Sequence, residues 1–373
     1  MKILFAGGGT AGHINPALAV ASYIRKRDPE TEILFVGNKG GMEETLVPKA
    51  GFDMETIHIS GFKRSFSPSA IAENVKTAVR AVTASSESKK IIKKFKPDIC
   101  MGTGGYVSGP VLRTAAKMGI PIVIHEQNAF PGMTTKMLSK HAKKVMLAIE
   151  DAKKHLDPQC KTVVTGNPIR EEILTADKET SRKKLHLDLR PVILSFGGSL
   201  GARKINEGVA SLIAQSGKTG EYQHIHAYGK YGKWFPDLLR EKGIEPDNCS
   251  NLDIREYIDN MPDCLAACDL VICRAGAITL SEIQAMGKPA ILIPSPNVAE
   301  NHQYYNALAL VNAGAAEMVE EKDLDDTVIE KIAKRMLADK DILKKYGDNA
   351  KNMAITDANS RIYAVIKNIV KEH

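Results

Sequence analysis

The sequence lacks any apolar run of about 18 residues, which is the length needed to cross a membrane as a helix. Residues 1–7 form a short apolar segment that is too small for the apolar core of a signal peptide. We therefore expect a cytoplasmic protein without a transmembrane segment. The length of 373 residues exceeds what one compact core usually holds and suits two domains.

The sequence is also poor in metal-binding patterns. Its six cysteines show no C-x-x-C spacing, and Cys264, Cys268 and Cys273 have no histidine near them in the sequence. Asp-x-Asp often holds a divalent ion in sugar-nucleotide enzymes. That spacing occurs at Asp323 and Asp325, in an acidic stretch that is typical of a solvated surface. We expect no metal and no other cofactor.

Positive charge is unevenly distributed. Residues 1–165 contain 24 of the 51 Lys and Arg and 14 of the 44 Asp and Glu, a net of +10, so the remainder carries a net of −3. This asymmetry predicts an anionic partner for the first half of the chain.

The basic residues are densest over residues 63–96. Apolar residues recur there at helical spacing, namely Ile71, Val75, Val79 and Val82. One interpretation is a helix that faces the core and exposes a basic side to water. The other is a basic amphipathic surface that lies on anionic lipid.

Three glycine-rich segments follow short apolar runs, at residues 7–13, 102–110 and 197–203. The first and third begin strand–loop–helix units about half a chain apart, which predicts two Rossmann-like domains with a ligand cleft between them. Asn15 and Pro16 predict that the helix after the first segment begins at an Asn15 cap. The first segment does not have the spacing G-x-G-x-x-G. The second predicted strand ends at Asn38 without the acid that holds a dinucleotide ribose, which argues against an NAD-dependent oxidoreductase.

Residues 269–293 form the clearest candidate for nucleotide binding. A buried strand, a turn of small residues, a helix and a second strand follow one another. In parallel sheets, ligands bind where strands end and helices begin, and backbone N–H groups there attract an anion. Glu282 would lie one turn into the helix, where its carboxylate can accept hydrogen bonds from a ribose diol. The alternative is an ordinary strand–helix joint with a solvated Glu282.

These segments resemble the MurG family, the peptidoglycan glycosyltransferases that convert lipid I to lipid II. Seven motifs occur in the family's order and span nearly the whole chain. They are Gly-Gly-Thr-Ala-Gly-His (8–13), Gly-Gly-Tyr-Val-Ser-Gly-Pro (104–110), His-Glu-Gln-Asn (125–128), Gly-Asn-Pro-Ile-Arg (166–170), Gly-Gly-Ser-Leu-Gly-Ala-Arg (197–203), Cys-Arg-Ala-Gly-Ala-Ile-Thr-Leu-Ser-Glu (273–282) and Gln-Tyr-Tyr-Asn-Ala (303–307).

The resemblance implies an α/β fold of the GT-B type, with two Rossmann-like, doubly wound parallel-sheet domains facing across a cleft. Residues 1–166, joined by a C-terminal helix over 357–373, would bind the acceptor and the membrane. Residues 167–356 would bind the donor, UDP-N-acetylglucosamine (UDP-GlcNAc).

The implied enzyme is a metal-independent, inverting transferase. It would move GlcNAc to the 4-hydroxyl of undecaprenyl-diphospho-MurNAc-pentapeptide (lipid I) and thereby form lipid II. The implied location is peripheral, at the cytoplasmic face of the cell membrane, on the anionic inner membrane surface. No nucleic-acid partner is expected.

The resemblance also assigns site residues. The donor would contact residues of both domains: Thr10, Ala11, Gly12, Asn128, Arg170, Ser199, Ile258, Ala277, Ile278, Thr279, Glu282 and Gln303. The acceptor diphosphate would contact the second glycine loop through Gly104, Gly105, Tyr106 and Ser108.

Inverting transfer needs a base for the acceptor hydroxyl, and two residues at predicted strand ends are candidates, His13 and Glu126. Two helix N-termini and Arg170 would stabilise the leaving UDP. The family's first motif usually reads Gly-Gly-Thr-Gly-Gly-His, so Ala11 stands where a glycine is usual. If that position requires a positive φ, alanine costs about 1 kcal/mol or more.

Two other functions remain open. A transferase of the same fold that acts on diacylglycerol would share the donor motifs, because acceptor loops vary most. A nucleotide-sugar binder without catalytic activity would also share them. An assay of glycosyl transfer with defined acceptors separates these alternatives.

Overall fold

The computed structural model of the protein describes residues 1–59 and 83–373. Contacts between residues divide the chain into two units. The first unit comprises Met1–Ile169 and Asp357–His373, and the second comprises Arg170–Thr356. The boundary predicted from sequence, after Gly166, and this division, after Ile169, fall within the same Gly-Asn-Pro-Ile-Arg segment.

Seven strands occur in the described part of the first unit: β1 (Lys2–Gly7), β2 (Glu32–Asn38), β3 (Asp53–Ile57), β4 (Ile99–Gly104), β5 (Ile122–Glu126), β6 (Lys144–Leu147) and β7 (Thr162–Val164). They form one parallel sheet in the order β3-β2-β1-β4-β5-β6-β7. The chain order reverses between β1 and β4. In doubly wound sheets ligands bind at the carboxyl ends of the strands that flank such a reversal.

Helices cover both faces of this sheet in the described ranges: α1 (Ala11–Arg27), α2 (Glu43–Lys49), α3 (residues 83–95), α4 (Gly105–Lys117) and α5 (Met133–Leu138). Short 3₁₀ turns follow at Ser139–His141 and Glu150–His155. Strand β1 is central and apolar, and Ile3, Leu4 and Phe5 are fully buried. A strand that is buried on both faces requires a continuous apolar run, which is the pattern this segment has.

The second unit lies wholly within the described residues. Its strands are β8 (Val192–Phe196), β9 (Gln223–Ala227), β10 (Leu252–Arg255), β11 (Leu270–Cys273), β12 (Ala290–Leu292) and β13 (Ala316–Met318). They form a parallel sheet in the order β10-β9-β8-β11-β12-β13. The order again reverses beside its first strand, so both units are doubly wound, as predicted.

The helices of the second unit are α6 (Glu171–Thr175), α7 (Lys178–Lys184), α8 (Arg203–Thr219), α9 (Phe235–Glu241), α10 (Met261–Ala267), α11 (Ala277–Met286), α12 (His302–Asn312), α13 (Val328–Ala338) and α14 (Lys340–Asn352). Short 3₁₀ turns lie at Pro246–Asn248, Ala299–Asn301 and Glu321–Asp323.

The last helix, α15 (Ala358–Glu372), belongs to the first unit. Its buried residues Ile362, Ile366 and Ile369 join the same apolar cluster as Val20 and Ile24 of α1. Burying one such side chain contributes about 1.5–3 kcal/mol, so this stripe fastens α15 to the first unit. The predicted C-terminal amphipathic helix is confirmed.

Two strands and one helix boundary differ from the sequence-based predictions. Strands β3 and β13 were not predicted, because both are short edge strands that contain acidic residues. Helix α1 was expected to begin at an Asn15 cap. It begins at Ala11 instead, since the N–H groups of His13 and Ile14 donate to Thr10 O at 3.1 and 3.2 Å.

The basic stretch over residues 63–96 is described only from residue 83 onward. The apolar stripe Ile71, Val75, Val79 and Val82 lies outside the described residues. Within α3, Ala84, Ser88 and Ile92 are buried at helical spacing while Lys89 and Lys90 are exposed. This part of the stretch is therefore a helix that faces the core and exposes a basic side. In the described residues no helix combines the length and apolarity needed to span a bilayer.

Candidate active site

In the first unit the end of β4 contacts the first turn of α1. The Thr103 hydroxyl donates to His13 O at 2.7 Å, and the His13 ring lies with Nδ1 3.1 Å from Thr103 O. A carbonyl oxygen only accepts, so Nδ1 carries the proton and the lone pair of the neutral ring lies on Nε2. His13 was expected on a loop, but it lies in the first turn of α1.

Glycine is required at two positions because these turns approach so closely. Gly104 and Gly105 both have positive φ values, 105° and 77°. A Cβ on Gly105 would lie 2.2 Å from Gly8 O, and one on Gly104 would lie 2.7 Å from His13 Nδ1. Any larger residue would separate the two turns.

The predicted second glycine loop is in fact the start of α4. Gly104 is the N-cap, and Gly105, Tyr106 and Ser108 occupy the first turn. The N-terminus of a helix of this length favours an anion, which suits the diphosphate expected there. Ser108 is buried, and its hydroxyl lies 2.6 Å from Ala6 O and 2.7 Å from Gly104 O. Backbone groups therefore occupy this hydroxyl, and its expected contact with the acceptor stays a prediction.

Glu126 holds the segment that follows β5. Its carboxylate accepts hydrogen bonds from Asn128 N and Nδ2 at 3.2 Å, from Gly132 N at 3.1 Å and from the Thr135 hydroxyl at 2.6 Å. The side chain is also buried. These contacts link the end of β5 to the start of α5 and orient the Asn128 amide.

The two neighbours of Glu126 contact backbone carbonyls in two different segments of the first unit. The Gln127 amide donates to Thr103 O at 2.9 Å, and His125 Nε2 lies 2.9 Å from Gly166 O. Burial lowers the pKa of His125, so this imidazole is a neutral structural group.

The replacement of glycine by Ala11 causes no backbone strain. In the described ranges, residues other than glycine with a positive φ are Lys96, His186, Glu300 and Asn301. Ala11 is instead the first residue of α1, after Thr10 in extended conformation and before Gly12. Alanine favours the helix over glycine, so the expected penalty does not apply.

In the second unit, the candidate nucleotide site has the predicted form. Gly276 is the N-cap of α11, and Ala277, Ile278 and Thr279 form its first turn. Glu282 lies in the next turn and is buried. Its Oε1 lies 3.1 Å from a guanidinium nitrogen of Arg170. Burial raises the pKa of Glu282, and Arg170 opposes that rise.

A second helix N-terminus lies at the third glycine loop. Ser199 is exposed on the loop between β8 and α8, and the Lys230 N–H donates to its carbonyl at 3.2 Å. Gly201 has a φ of 83°, and a Cβ there would lie 2.2 Å from Tyr228 O. The loop is therefore held in place by the chain after β9, with the Ser199 side chain exposed before α8.

The remaining donor candidates of the second unit are Gln303 and Ile258. Gln303 lies in the first turn of α12, and its Oε1 accepts from Ser295 N at 2.9 Å, which leaves the amide nitrogen to donate. Ile258 is 3% exposed, so only its backbone suits the expected contact with a uracil ring. The Asn306 amide donates to Ala275 O at 3.2 Å and ties α12 to the turn before α11.

Sequence reasoning missed two charged residues at these turns. Arg274 donates to Ile293 O at 3.1 Å and forms an ion pair with Glu321, which holds the turn before α11. Glu43 is fully buried under the first glycine loop. A charged residue directly after a buried strand could have indicated the role of Arg274. No local pattern in the sequence indicated that Glu43 is buried.

The Asp-x-Asp spacing at Asp323 and Asp325 lies just before α13. Asp325 accepts hydrogen bonds from Thr327 N at 2.7 Å and Val328 N at 2.8 Å, at the start of α13. The same spacing recurs at Asp339, which caps α14. Across residues 1–59 and 83–373, no three His, Cys, Asp or Glu residues cluster as metal ligands.

Models of known families match both units. The N-terminal domain of glycosyltransferase family 28 matches residues 3–147, and its C-terminal domain matches residues 192–362. The chain belongs to glycosyltransferase family 28. The predicted GT-B fold is thereby confirmed.

Two curated relatives match over nearly their whole length. One, from Acetivibrio thermocellus, is 45% identical over 372 residues, covering 100% of this chain and 99% of the relative. The other, from Thermoanaerobacter sp. strain X514, is 46% identical over 376 residues, covering 99% and 100%. Both are named UDP-N-acetylglucosamine--N-acetylmuramyl-(pentapeptide) pyrophosphoryl-undecaprenol N-acetylglucosamine transferase.

A solved structure agrees with these matches. The crystal structure of Acinetobacter baumannii MurG has a TM-score of 0.74 and 27% identity, covering 98% of this chain and 99% of that chain. The resemblance to the MurG family is confirmed.

Proposed function

We propose that this family 28 protein transfers GlcNAc from UDP-GlcNAc to the 4-hydroxyl of the muramyl residue of lipid I and so forms lipid II in peptidoglycan synthesis. The observation that carries this proposal is full-length identity of 45% and 46% to two transferases named for that reaction. The sites in both units supply the groups that the reaction requires.

The donor is assigned to the second unit. The N-termini of α8 and α11 supply positive potential for the diphosphate, and Ser199 supplies a hydroxyl. Glu282 accepts hydrogen bonds from the ribose diol. Arg170 holds the Glu282 carboxylate and adds positive charge for the leaving UDP. Gln303 donates its amide hydrogens to the sugar hydroxyls.

The acceptor is assigned to the first unit, at the N-terminus of α4. The acceptor 4-hydroxyl oxygen forms a bond to the anomeric carbon of GlcNAc while the bond from that carbon to the diphosphate oxygen breaks. The electron pair of the broken bond leaves with UDP, and the proton of the hydroxyl must pass to a base.

Of the two candidate bases, we assign the proton to His13. Its Nδ1 donates to Thr103 O, so Nε2 holds the lone pair that can take the proton. Glu126 supports the segment after β5 through four hydrogen bonds, and a carboxylate so occupied is a weaker candidate for proton transfer.

We assign the enzyme to the cytoplasmic face of the cell membrane as a peripheral protein. Its acceptor carries a polyprenyl chain that stays in the bilayer. The net charge of +10 over residues 1–165 favours an anionic surface. On α5, beside the start of α4, Met133 and Met137 are 66% and 62% exposed, which suits contact with lipid.

The deciding experiment incubates the protein with labelled UDP-GlcNAc and either a lipid I analogue or diacylglycerol. Label on the lipid I analogue alone supports the proposal. Label on diacylglycerol alone would assign the protein to the alternative transferase. UDP binding by calorimetry without transfer to either acceptor would indicate a binder without catalytic activity.

A further inference from the structure

Glu321 forms an ion pair with Arg274 beside the turn that begins α11. Glu321 is the first residue of the 3₁₀ turn after β13, and its Oε1 accepts a hydrogen bond from Arg274 Nη2. Arg274 directly follows β11, two residues before the N-cap of α11. Each side chain is 16% exposed, so the pair is largely shielded from water. Removing one partner of such a pair leaves the other charge shielded and unpaired, which is costly.

The other terminal nitrogen of Arg274 holds the chain where it leaves β12. Nη1 donates to Ile293 O at 3.1 Å and to Pro294 O at 3.2 Å. The Ile293 N–H donates in turn to Cys273 O at 2.9 Å. Because Glu321 binds one nitrogen of the guanidinium, it fixes the direction in which the other nitrogen reaches these two carbonyls.

One peptide group connects Arg274 to Gln303. The carbonyl of Pro294, which Arg274 binds, belongs to the same planar peptide group as the Ser295 N–H. That N–H donates to Gln303 Oε1 at 2.9 Å. A displacement of the Arg274 guanidinium would therefore move the group that orients the Gln303 amide.

The segment between Ser295 and Gln303 contains backbone strain. Glu300 and Asn301 have φ values of 54° and 50°, in the left-handed region that residues other than glycine seldom adopt. Helix α12 begins directly after them. Strained conformations of this kind persist where surrounding contacts hold them. The contact of Ser295 with Gln303 spans this segment and so holds the first turn of α12 against the end of β12.

We propose that Glu321 is a positioning residue of the donor site, which acts through Arg274 and the Pro294–Ser295 peptide to direct the Gln303 amide at the sugar. This inference rests on the function proposed above, in which Gln303 donates to the sugar hydroxyls. Glu321 does not itself touch the donor.

Recognition of the UDP part of the donor should not depend on Glu321. The Asn306 amide donates to Ala275 O at 3.2 Å and ties the turn before α11 to α12 by a contact that does not involve Arg274. Glu282, assigned to the ribose, has its own partner in Arg170. Loss of Glu321 should therefore weaken binding of the sugar and leave binding of UDP intact.

The test measures dissociation constants for UDP-GlcNAc and for UDP by calorimetry. Glu321→Ala should weaken UDP-GlcNAc about three- to tenfold, as expected for one lost hydrogen bond, and leave UDP unchanged. Glu321→Gln keeps an oxygen for Arg274 and should fall between wild type and Glu321→Ala. The matched control is Glu320→Ala, since the carboxylate of this neighbour pairs with Lys322 at 3.2 Å instead.

Equal weakening of UDP and UDP-GlcNAc by Glu321→Ala would assign the ion pair to the fold alone and overturn the proposal. Unchanged binding of both, or the same effect in Glu320→Ala, would overturn it as well. If Glu321→Ala does not fold, as judged by circular dichroism, the comparison of Glu321→Gln with Glu320→Gln decides.

A double-mutant cycle tests the route through Gln303. Gln303→Ala alone should weaken UDP-GlcNAc, and adding Glu321→Ala should weaken it little further, because both changes act on the same amide. Additive losses would overturn the proposal. Equal affinity of the wild-type protein for UDP and UDP-GlcNAc would also overturn it. If the wild-type protein binds UDP-GlcNAc but transfers no GlcNAc, the proposed function fails, while the binding measurements still decide the role of Glu321.

Discussion

The Arg170 guanidinium lies 3.1 Å from the carboxylate of Glu282, which belongs to α11. Glu282 has a side-chain exposure of 10% and Arg170 of 44%. The Glu282 carboxylate is therefore mostly shielded from solvent, while the Arg170 guanidinium is partly exposed. In the proposed donor site, this asymmetry would leave Arg170 able to reach the diphosphate while Glu282 keeps a fixed position for the ribose.

We expect Glu282→Ala to raise the KM for UDP-GlcNAc about tenfold or more, since hydrogen bonds from the ribose to a charged group contribute about 1.5–3 kcal/mol. Steady-state kinetics with UDP-GlcNAc and its 2′-deoxyribose analogue measure this. With the analogue, the difference in KM between the wild-type protein and the variant should become smaller. An unchanged KM with full activity would remove Glu282 from the ribose site.

We expect His13→Ala to lower kcat by about 10²–10⁴-fold, with little change in either KM, because a general base acts in the transition state. Glu126→Gln should instead lower thermal stability, since it disturbs the contacts to Gly132 and Thr135. Melting temperatures and single-turnover rates separate the two effects. If a folded Glu126→Gln protein loses more of its single-turnover rate than His13→Ala does, Glu126 and not His13 is the base.

We expect transfer to survive EDTA. In the proposed donor site, the N-termini of α8 and α11 together with Arg170 would stabilise the leaving diphosphate without an ion. The measurement compares initial rates with and without EDTA, using Mg²⁺ and Mn²⁺ additions as controls. A loss that either ion restores would contradict this prediction and call for a search for its ligands.

Two buried histidines of the second unit should make stability sensitive to acid. Ser195 Oγ lies 2.7 Å from both His224 Nε2 and His226 Nδ1. Burial lowers the pKa of His226 to about 3 and that of His224 well below its ordinary value. The folded state thus excludes protons that the unfolded state binds below about pH 6.5.

The free energy of unfolding should therefore be fully present above about pH 6.5 and decline as the pH falls toward 3. His226→Gln should reduce that slope by up to about 1.4 kcal/mol per pH unit. Urea unfolding of the second unit, followed at several pH values between these limits, measures the slope. An identical slope in the variant would show that His226 does not take part.

We expect charge reversal at Lys89 and Lys90 to reduce binding to anionic vesicles by about tenfold or more, since each basic residue near such a surface contributes about 1 kcal/mol. Transfer to membrane-embedded lipid I should fall further than transfer to a short-chain analogue. Adding Lys76→Glu and Arg80→Glu, which lie outside the described residues, should deepen the effect.

The matched control reverses Lys344 and Lys345, two exposed lysines of α14 in the second unit. Salt should weaken vesicle binding of the wild-type protein, because the screening length is roughly 8 Å at physiological ionic strength. Equal losses with both acceptors would show that this face of α3 serves only the fold.

The central strands and the two doubly wound sheets were predictable, because buried parallel strands such as β1 and β8 require continuous apolar runs. The turn before α11 was predictable for a related reason, since it follows the buried apolar strand β11 and consists of small residues before a helix. The edge strands β3 and β13 carry no such pattern. Their pairing depends on neighbours far away in the chain.

Burial of Glu43 was not predictable from local sequence. Its neighbours Gly8 and Gly37 come from separate segments, and only the folded chain brings them around one carboxylate. The start of α1 was missed because the contact of Thr103 with His13 spans 90 residues. Pairing of Arg170 with Glu282 likewise joins positions 112 residues apart.

Placement of α15 in the first unit has a consequence for synthesis on the ribosome. Residues 357–373 are translated after the whole second unit, yet Ile362 and Ile366 complete the apolar cluster around α1. The second unit has all its strands before the first unit has its last helix. Until α15 emerges, the apolar face of α1 stays open to water, so the first unit is the one that needs protection from aggregation during translation.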